Sequence, residues 1–415
     1  MMATQSSIWC PVGFGAGTSA LEAAPAAHGG RGVPKRDGVR VTTPMAEAAL
    51  VVTGLAGGGF SAYAVTEDGT VLAWGDNLEG QLGHGAAGTA SAVPAPVDGL
   101  PRSDAVAASA NSAFALTYDG SVWAWGDDSQ GELGNGKETY RSDFPVRVRE
   151  IGGIVAITAG EYSAYALGRD GTVWAWGDNS DGQLGLPLSV GSNDVPVRVP
   201  GLSGVKQVAA GASSGYALRR DGTVWAWGDN AFGELAQSKG LPGSEVPLPV
   251  TRLPPVAAVA AGADAGYALL RDGTVRAWGD GSFGALGTGA CPLRQPTNCA
   301  GTSRPAPVRY LMNVRAIAAG TYAAYALEAD GAVWSWGYGV YGQLGDGSNE
   351  SSDVPVPVNR LHHVVAIAAG GNAAYALEAN GSVWAWGYGG YGQLGDGGAN
   401  SSDVPVLVHG LAPRR

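Results

Sequence analysis

The chain has 415 residues and a net charge of −11, and 15% of its residues are charged. Without a stripe of Lys and Arg, this charge excludes a nucleic-acid-binding face, which has to displace the counterions of the phosphates. No run of about 20 apolar residues is present, which excludes a membrane-spanning helix. The low share of charged residues and the 68 glycines indicate a compact all-β protein with tight turns.

The first 48 residues are rich in Ala, Gly and Ser and show no clear period. We therefore expect residues 1–48 to form a mostly disordered tail and residues 49–411 to form the folded domain. No apolar core of about 7–15 residues follows a basic start, so no signal peptide is predicted and the cytoplasm is favoured. Residues 39–41 are a candidate for a stray outer strand, because residues 38–41 resemble Pro145–Val148.

A repeated motif covers the rest of the chain. Residues 170–185, with the sequence DGTVWAWGDNSDGQLG, recur in seven copies about 51 residues apart. A fixed period of this length is typical of stacked or radial copies of one supersecondary unit. The Asp-Gly or Asn-Gly pair of each copy begins at Asp68, Asp119, Asp170, Asp221, Asp272, Asp330 and Asn380.

Each repeat contains four short segments that are typical of strands. In the third repeat they are residues 154–160, 163–169, 172–178 and 194–199. The Asp-Gly pair between the second and third segments predicts a type I′ turn. The first segment is small and apolar on both faces, which suits a crowded centre, and the fourth contains Pro, which suits an outer edge. The prediction is a seven-bladed β-propeller with four antiparallel strands per blade.

Tryptophan marks the third segment of every repeat. All Trp residues except Trp9 lie in these segments, usually as VWAWG, which places both rings on one face of the strand. Burying one Trp hides up to ~250 Å², worth at most ~4–6 kcal/mol. We therefore expect the rings to pack between blades rather than to stack on a ligand or chromophore.

Two ways of closing the ring are compatible with the sequence. The folded part starts with a first segment near residues 49–53 and ends with a fourth segment at residues 404–408. Seven complete blades can form without exchange between the termini, which is the favoured arrangement. The alternative is that residues 39–41 add an outer strand near the last blade and interlock the termini.

The pattern G-x5-AL-x2-DG-x-V-x2-WG-x4-GQLG, followed by a Pro-Val strand, resembles the regulator of chromosome condensation repeat family. The resemblance covers residues 49–411 and implies a seven-bladed propeller. The founder of that family is an exchange factor for a nuclear GTPase and binds chromatin, whereas many relatives are binding modules. Family repeats often carry His before the AL strand, where this chain has Ser163 or Ala323. That departure, and the even spacing of the first repeats, which leaves no inserted wedge, disfavour nucleotide exchange.

Residues that vary between the repeats predict a binding surface on one rim of the propeller. The loops between the first and second strands and between the third and fourth strands lie on the same rim, where aromatic residues are frequent. Protein-binding surfaces favour such residues; the alternative is that the rings only cover the seams between blades. The candidate residues are Phe60, Tyr162, Asp264, Tyr322, Phe232, Phe283, Tyr341 and Tyr391.

The sequence offers no catalytic constellation. No Ser-His-Asp or Cys-His set recurs at a useful place, no Cys or His cluster has zinc spacing, and no cofactor is implied. The repeated Asp residues are expected to shape turns. Cys291 and Cys299 could form a local disulfide, which favours export, or remain free thiols.

The sequence therefore predicts a monomeric, non-enzymatic propeller that binds another protein. The alternative is a regulator or guanine-nucleotide exchange factor of a small GTPase. Neither the partner nor the compartment follows from the residues.

Overall fold

The computed structural model describes residues 50–411, apart from residues 86, 138, 239–240 and 292–298. In this part of the chain, 28 strands form seven sheets of four strands each. Neighbouring strands in each sheet are antiparallel and consecutive in the chain. The predicted seven-bladed propeller is confirmed. The predicted tail, residues 1–48, and the candidate strand at residues 39–41 lie outside the described residues.

The blades are numbered in chain order, and two short 3-10 helices, Leu188–Val190 and Ser282–Gly284, lie in the loops of blades 3 and 5. Blades 1 to 4 contain β1 Val52–Gly57, β2 Ser61–Thr66, β3 Val71–Gly75, β4 Ser91–Pro96; β5 Ser103–Ala108, β6 Ser112–Thr117, β7 Val122–Asp127, β8 Arg141–Arg147; β9 Ile154–Ala159, β10 Ser163–Gly168, β11 Val173–Gly177, β12 Asn193–Arg198; β13 Val205–Ala210, β14 Ser214–Arg219, β15 Val224–Gly228 and β16 Ser244–Pro249. Blades 5 to 7 contain β17 Val256–Ala261, β18 Ala265–Leu270, β19 Val275–Gly279, β20 Thr302–Pro307; β21 Val314–Ala319, β22 Ala323–Glu328, β23 Val333–Gly337, β24 Ser352–Pro357; β25 Val364–Ala369, β26 Ala373–Glu378, β27 Val383–Gly387 and β28 Ser402–Leu407.

The first strand of each blade lines the centre of the ring. First strands of neighbouring blades contact each other all the way round, and β1 contacts β25 to complete the circle. Each sheet runs outward from this strand in chain order, so the Pro-containing fourth strand is the outer edge. The predicted strand order is confirmed, and each blade of the described chain is made of four consecutive strands. The alternative closure through residues 39–41 lies outside the described residues.

The hairpin between the second and third strands corrects one prediction. In blade 1 the Gly69 N–H donates to the Thr66 carbonyl at 2.8 Å, and the Thr66 N–H donates to the Thr70 carbonyl at 2.9 Å. Gly69 has a φ of +84°, but no hairpin Asp in the described chain has a positive φ. The loop is thus a type I turn followed by a left-handed glycine, and the predicted type I′ turn is wrong. The Asp carboxylate instead accepts a backbone N–H two residues on, as Asp170 does from Thr172 at 2.9 Å.

A repeated aromatic contact seals every seam between blades. The indole N–H of Trp125 crosses from blade 2 to donate to the Gln81 carbonyl of blade 1 at 2.8 Å. That carbonyl also accepts the hydroxyl of Tyr63 at 2.6 Å, and the Tyr63 ring meets Trp125 edge-on. In the last seam Trp74 donates to the Gln393 carbonyl at 2.9 Å, which joins blade 1 to blade 7.

Burial differs between the two Trp positions of the motif, both of which hold Trp in blades 2, 3, 4, 6 and 7. The second Trp is fully buried in all seven blades, which confirms the predicted packing between blades for Trp74, Trp125, Trp176, Trp227, Trp278, Trp336 and Trp386. The first Trp, such as Trp174, is only half-buried. The second position therefore supplies the larger share of the hydrophobic stabilisation.

Candidate functional site

Two sets of loops form one rim of the propeller, which we call the loop rim. They connect the first to the second strand and the third to the fourth strand of each blade. In blade 6 the Tyr338 N–H donates to the Tyr322 carbonyl at 2.9 Å and holds the two loops together. Gly337 has a φ of +101°, and a Cβ there would lie 2.1 Å from the Tyr322 oxygen. The glycine after each second Trp is thus required by this close approach. The opposite rim, with the Asp-Gly and Asn-Gly turns, is the hairpin rim.

Seven rings on the loop rim form an unbroken chain of contacts, which we call the aromatic arc. Neighbouring ring centroids are 4.7–6.2 Å apart, the range of favourable edge-on and tilted contacts. The arc includes residues of blades 5, 6, 7 and 1 and crosses the three seams between them. Its members, in order, are Tyr322, Phe283, Tyr338, Tyr341, Tyr388, Tyr391 and Phe60.

The arc brings together five of the eight residues singled out from the sequence: Phe60, Phe283, Tyr322, Tyr341 and Tyr391. Tyr341 and Tyr391 are the most exposed of them, at 42% and 36%, whereas Phe60 is buried at 9%. The other two members, Tyr338 and Tyr388, are not among the candidates from the sequence. The signal that identifies them is a change from Asp to Tyr after the Trp-Gly pair in repeats 6 and 7.

Three candidates lie elsewhere on the loop rim. Tyr162 and Phe232, in blades 3 and 4, are exposed at 37% and 46%, and neither makes a ring contact with a described residue. Asp264, in blade 5, is half-buried. The structure therefore divides the predicted rim into a connected aromatic part and isolated residues.

Aspartate follows the Trp-Gly pair in blades 1 to 5, where it organises the loop. Asp76 accepts the N–H groups of Asn77 at 2.8 Å and Leu78 at 3.3 Å. Asp178 accepts the Ser180 N–H at 3.0 Å and the side-chain amide of Gln183 at 2.9 Å. Loop formation therefore accounts for these carboxylates.

Two carboxylates on the loop rim have a different environment. Glu161 and Asp264 are half-buried in first-to-second loops, and no described residue donates a hydrogen bond to either side chain. Burial and the nearby Asp264 raise the pKa of Glu161 to about 7. Burial, Asp280 and Asp229 raise the pKa of Asp264 to about 6. Sequence reasoning missed Glu161 as a site residue, although it is the one charged residue at its aligned position.

Glutamate replaces the Gln of the GQLG motif in blades 2 and 4. Glu132 and Glu234 are buried, and one carboxyl oxygen of each has no hydrogen-bond partner. Burial is the main cause that raises the pKa of both groups to about 8. Each is therefore neutral at pH 7 and occupies the place that the uncharged amide of Gln183 fills in blade 3.

Other features of the described residues concern metal ligands, membrane-crossing helices and the cysteines. No group of three or more His, Cys, Asp or Glu side chains there is arranged to hold a metal ion. No helix in this part of the chain is long and apolar enough to cross a bilayer. Cys291 and Cys299 are joined by a disulfide on the loop rim, and the Cys291 N–H donates to the Asp353 carboxylate at 3.0 Å.

The fold and the seams define a seven-bladed propeller of tryptophan-sealed repeats. The model of the RCC1-like domain family matches residues 26–300 and 152–415. The chain belongs to this family, and the resemblance seen in the repeats is confirmed.

Two human relatives are much longer than this chain. The probable E3 ubiquitin-protein ligase HERC6 is 37% identical over 235 residues, which cover 54% of this chain and 23% of HERC6. The E3 ubiquitin-protein ligase HERC2 is 32% identical over 327 residues, which cover 75% of this chain and 6% of HERC2. The chain thus spans less than a quarter of either protein.

A solved structure with the same fold is that of Prp20p from Saccharomyces cerevisiae. The two structures superpose with a TM-score of 0.73 over 87% of each chain, at 23% sequence identity. The structure of Prp20p was described together with its binding properties to Gsp1p and histones. At this identity the likeness shows the fold.

Proposed function

We propose that this protein is a non-enzymatic propeller that binds another protein through the aromatic arc. The observation that carries the proposal is the unbroken contact of seven rings across three seams, with Tyr341 and Tyr391 exposed. Aromatic side chains supply a large, rigid contact area and are enriched at the centres of protein interfaces. Membership of a family that includes Prp20p, a protein described with protein partners, supports this function.

Blades 2 to 4 argue against the view that the rings merely cover seams. Their seams are sealed by the same buried Trp contacts, such as Trp227 with the Gln183 carbonyl at 2.7 Å. Among the described residues, no ring contact on the loop rim crosses these seams. The propeller therefore closes a seam without aromatic residues on the loop rim, and the arc is available for another purpose.

The test is affinity purification from the native cell with the full chain as bait, followed by mass spectrometry. A variant with Tyr341→Ala and Tyr391→Ala is compared with a matched control, Tyr118→Ala, which removes a tyrosine exposed at 53% next to the hairpin rim. We expect the control and the wild type to capture the same partner. The arc variant, folded by circular dichroism, is expected to lose it. Capture that survives in the arc variant contradicts the proposal.

A second candidate is a regulator of a small GTPase. It is favoured by the shared fold with Prp20p, which was described with its binding to Gsp1p. Release of labelled GDP from small GTPases of the native cell, measured with and without this protein, tests it. Acceleration supports this candidate, and an unchanged release rate counts against it.

A further inference from the structure

The first-to-second loops converge on the centre of the loop rim. Their backbones join neighbouring blades, because the Ala212 N–H donates to the Ala263 carbonyl at 2.9 Å and the Ala263 N–H donates to the Thr321 carbonyl at 3.2 Å. A Cβ on Gly320 would lie 2.2 Å from the Gly370 oxygen, so these backbones are in direct contact. The first-to-second loops of these neighbouring blades therefore pack directly against one another at the loop rim.

Glu161 and Asp264 are the carboxylates on these loops, and we call them the carboxylate pair. The loops that carry them are linked through blade 4, because the Glu161 N–H donates to the Ala212 carbonyl at 3.3 Å and the Ala212 N–H donates to the Ala263 carbonyl. After burial, repulsion from Asp264 is the next cause of the raised pKa of Glu161. Asp229 and Asp280 add to the negative potential at Asp264. Burial and repulsion both oppose ionisation of the pair, and no described residue compensates for this cost.

The described residues of the loop rim include few basic side chains. Among the described residues of the loops on this rim, Lys137 is the single Lys or Arg, against at least one Asp or Glu in every blade. Arg141, at the start of β8, is already paired with Asp143 at 3.2 Å. Among the described residues of these loops, negative charge therefore exceeds positive charge.

The carboxylate pair lies beside one end of the aromatic arc. Tyr322 directly follows Thr321, whose carbonyl accepts the Ala263 N–H beside Asp264. Burial raises the pKa of Tyr322, and the charges of Asp264, Asp280 and Glu161 raise it further. The Tyr322 ring contacts Phe283 at 5.5 Å, which is the first step of the arc. Unbalanced carboxylates and a continuous apolar surface thus adjoin on the same rim.

We propose that the loop rim binds an extended cationic segment of the partner protein. A Lys or Arg side chain of the segment lies against Glu161 and Asp264, and its apolar neighbours lie along the aromatic arc. This inference rests on the proposed function and names the chemistry of the partner. Arg is well suited to the site, because its guanidinium pairs with carboxylates and stacks on tyrosine rings. An acidic segment would be repelled, and a neutral segment would leave the pair uncompensated.

The experiment uses a phage-displayed library of random 12-residue peptides, panned on the immobilised full chain. The enriched peptides are synthesised, and their Kd values are measured for the wild type, for Glu161→Gln with Asp264→Asn, and for Tyr341→Ala with Tyr391→Ala. Asp170→Asn on the hairpin rim is the matched charge control. Thermal unfolding verifies that each variant is folded.

We expect the enriched peptides to carry at least two Lys or Arg residues next to apolar ones. Replacing the carboxylate pair is expected to weaken their binding about tenfold or more and to flatten its dependence on salt, because screening then has fewer charges to act on. The control on the hairpin rim is expected to bind like the wild type.

Two outcomes would overturn the inference in distinguishable ways. Neutral or acidic peptides that bind the carboxylate variant normally but not the arc variant would refute the cationic segment and leave the proposed function intact. Peptides that bind the carboxylate variant and the arc variant normally would refute both the cationic segment and the proposed function. So would a panning that enriches no more peptides on the wild type than a parallel panning on the arc variant.

Discussion

The loops of blades 6 and 7 and those of blades 1 to 4 occupy the same places on one scaffold yet present different chemistry. The two sets of loops share one backbone contact. In blade 6 the backbone N–H of Tyr338 donates to the Tyr322 carbonyl at 2.9 Å, and in blade 3 the backbone N–H of Asp178 donates to the Tyr162 carbonyl at 2.8 Å. In blade 1 the Asp76 carboxylate accepts the following N–H, that of Asn77. In blade 6 the equivalent N–H, on Gly339, donates to the Ser351 hydroxyl at 3.2 Å.

This difference shows how the aromatic arc became compatible with the fold. Ser351 and Ser401 accept the N–H groups equivalent to those that Asp76 and Asp229 accept in blades 1 and 4. The position after Trp-Gly is therefore free to hold Tyr338 or Tyr388. Gly389 is part of the same arrangement, because a Cβ there would lie 2.0 Å from the Asn400 oxygen. The loop can thus form either with Asp or with Tyr after the Trp-Gly pair, and its folding does not require the rings.

The largest expected effect comes from deleting a buried Trp, and it tests whether the seam beneath the aromatic arc is as stable as a seam far from it. Trp336→Ala removes a seam contact beneath the arc, and Trp227→Ala removes the equivalent contact far from it. Each deletion of a buried Trp is expected to lower the free energy of unfolding by ~3–5 kcal/mol, as measured by urea denaturation with circular dichroism. A much larger decrease in the free energy of unfolding for Trp336→Ala than for Trp227→Ala would show that the aromatic arc itself stabilises the propeller. The view that the arc is not needed for folding would then be wrong.

The next effect concerns the glutamates of blades 2 and 4. The folded protein holds the pKa of Glu132 and Glu234 at about 8, above their ordinary value of 4.5, so folding favours the protonated form. The stability that each protonated group contributes is complete below pH 4.5 and is lost as the pH rises to about 8. Glu132→Gln, which restores the residue of blades 1 and 3, is expected to stabilise the protein by ~1–3 kcal/mol at pH 8.

The control for this prediction is the pH dependence of the difference in unfolding free energy between wild type and Glu132→Gln. Urea denaturation at pH 4.5 should show little difference between wild type and Glu132→Gln, because the native carboxyl is then neutral as well. A stabilisation that is equal at pH 4.5 and pH 8 would mean that packing, not ionisation, separates the two side chains.

The smallest effect comes from exchanging Tyr and Asp at the position after the Trp-Gly pair. Tyr388→Asp removes ring contacts with Tyr341 at 5.2 Å and Phe60 at 5.7 Å, and Asp178→Tyr removes the acceptor of the Ser180 N–H. Each exchange is expected to cost ~1–2 kcal/mol in thermal or urea unfolding, because the incoming side chain lacks the partners of the outgoing one. An exchange without cost in both directions would show that the loops are not specialised.

Much of the fold could be predicted because the chain repeats itself. The strand positions follow from alternating residues between Gly, Asp and Pro, and the order within a blade follows from small residues at the centre and Pro at the edge. The turn type could not be predicted, because Asp-Gly is compatible with a two-residue loop and with the three-residue loop that the Thr66–Gly69 hydrogen bond selects.

The candidate site could be predicted only in part. Aligning the repeats indicated the variable rim and most of the rings, since each ring is a local departure from the motif. It did not indicate that Phe60 contacts Tyr391, because closure of the ring brings together residues from opposite ends of the chain. Nor did it separate the carboxylates that organise loops from Glu161 and Asp264, since hydrogen-bond partners cannot be read from residue types.

The sequence by itself determined the number of blades, the strands and the tryptophan seams, because these depend on contacts within a repeat or between adjacent copies of it. Only the tertiary structure decided which aromatic rings join into one surface and which carboxylates receive no hydrogen bond from a described residue. Both depend on distances across the closed ring, where the curvature of seven packed sheets, not the order of residues, sets which side chains meet.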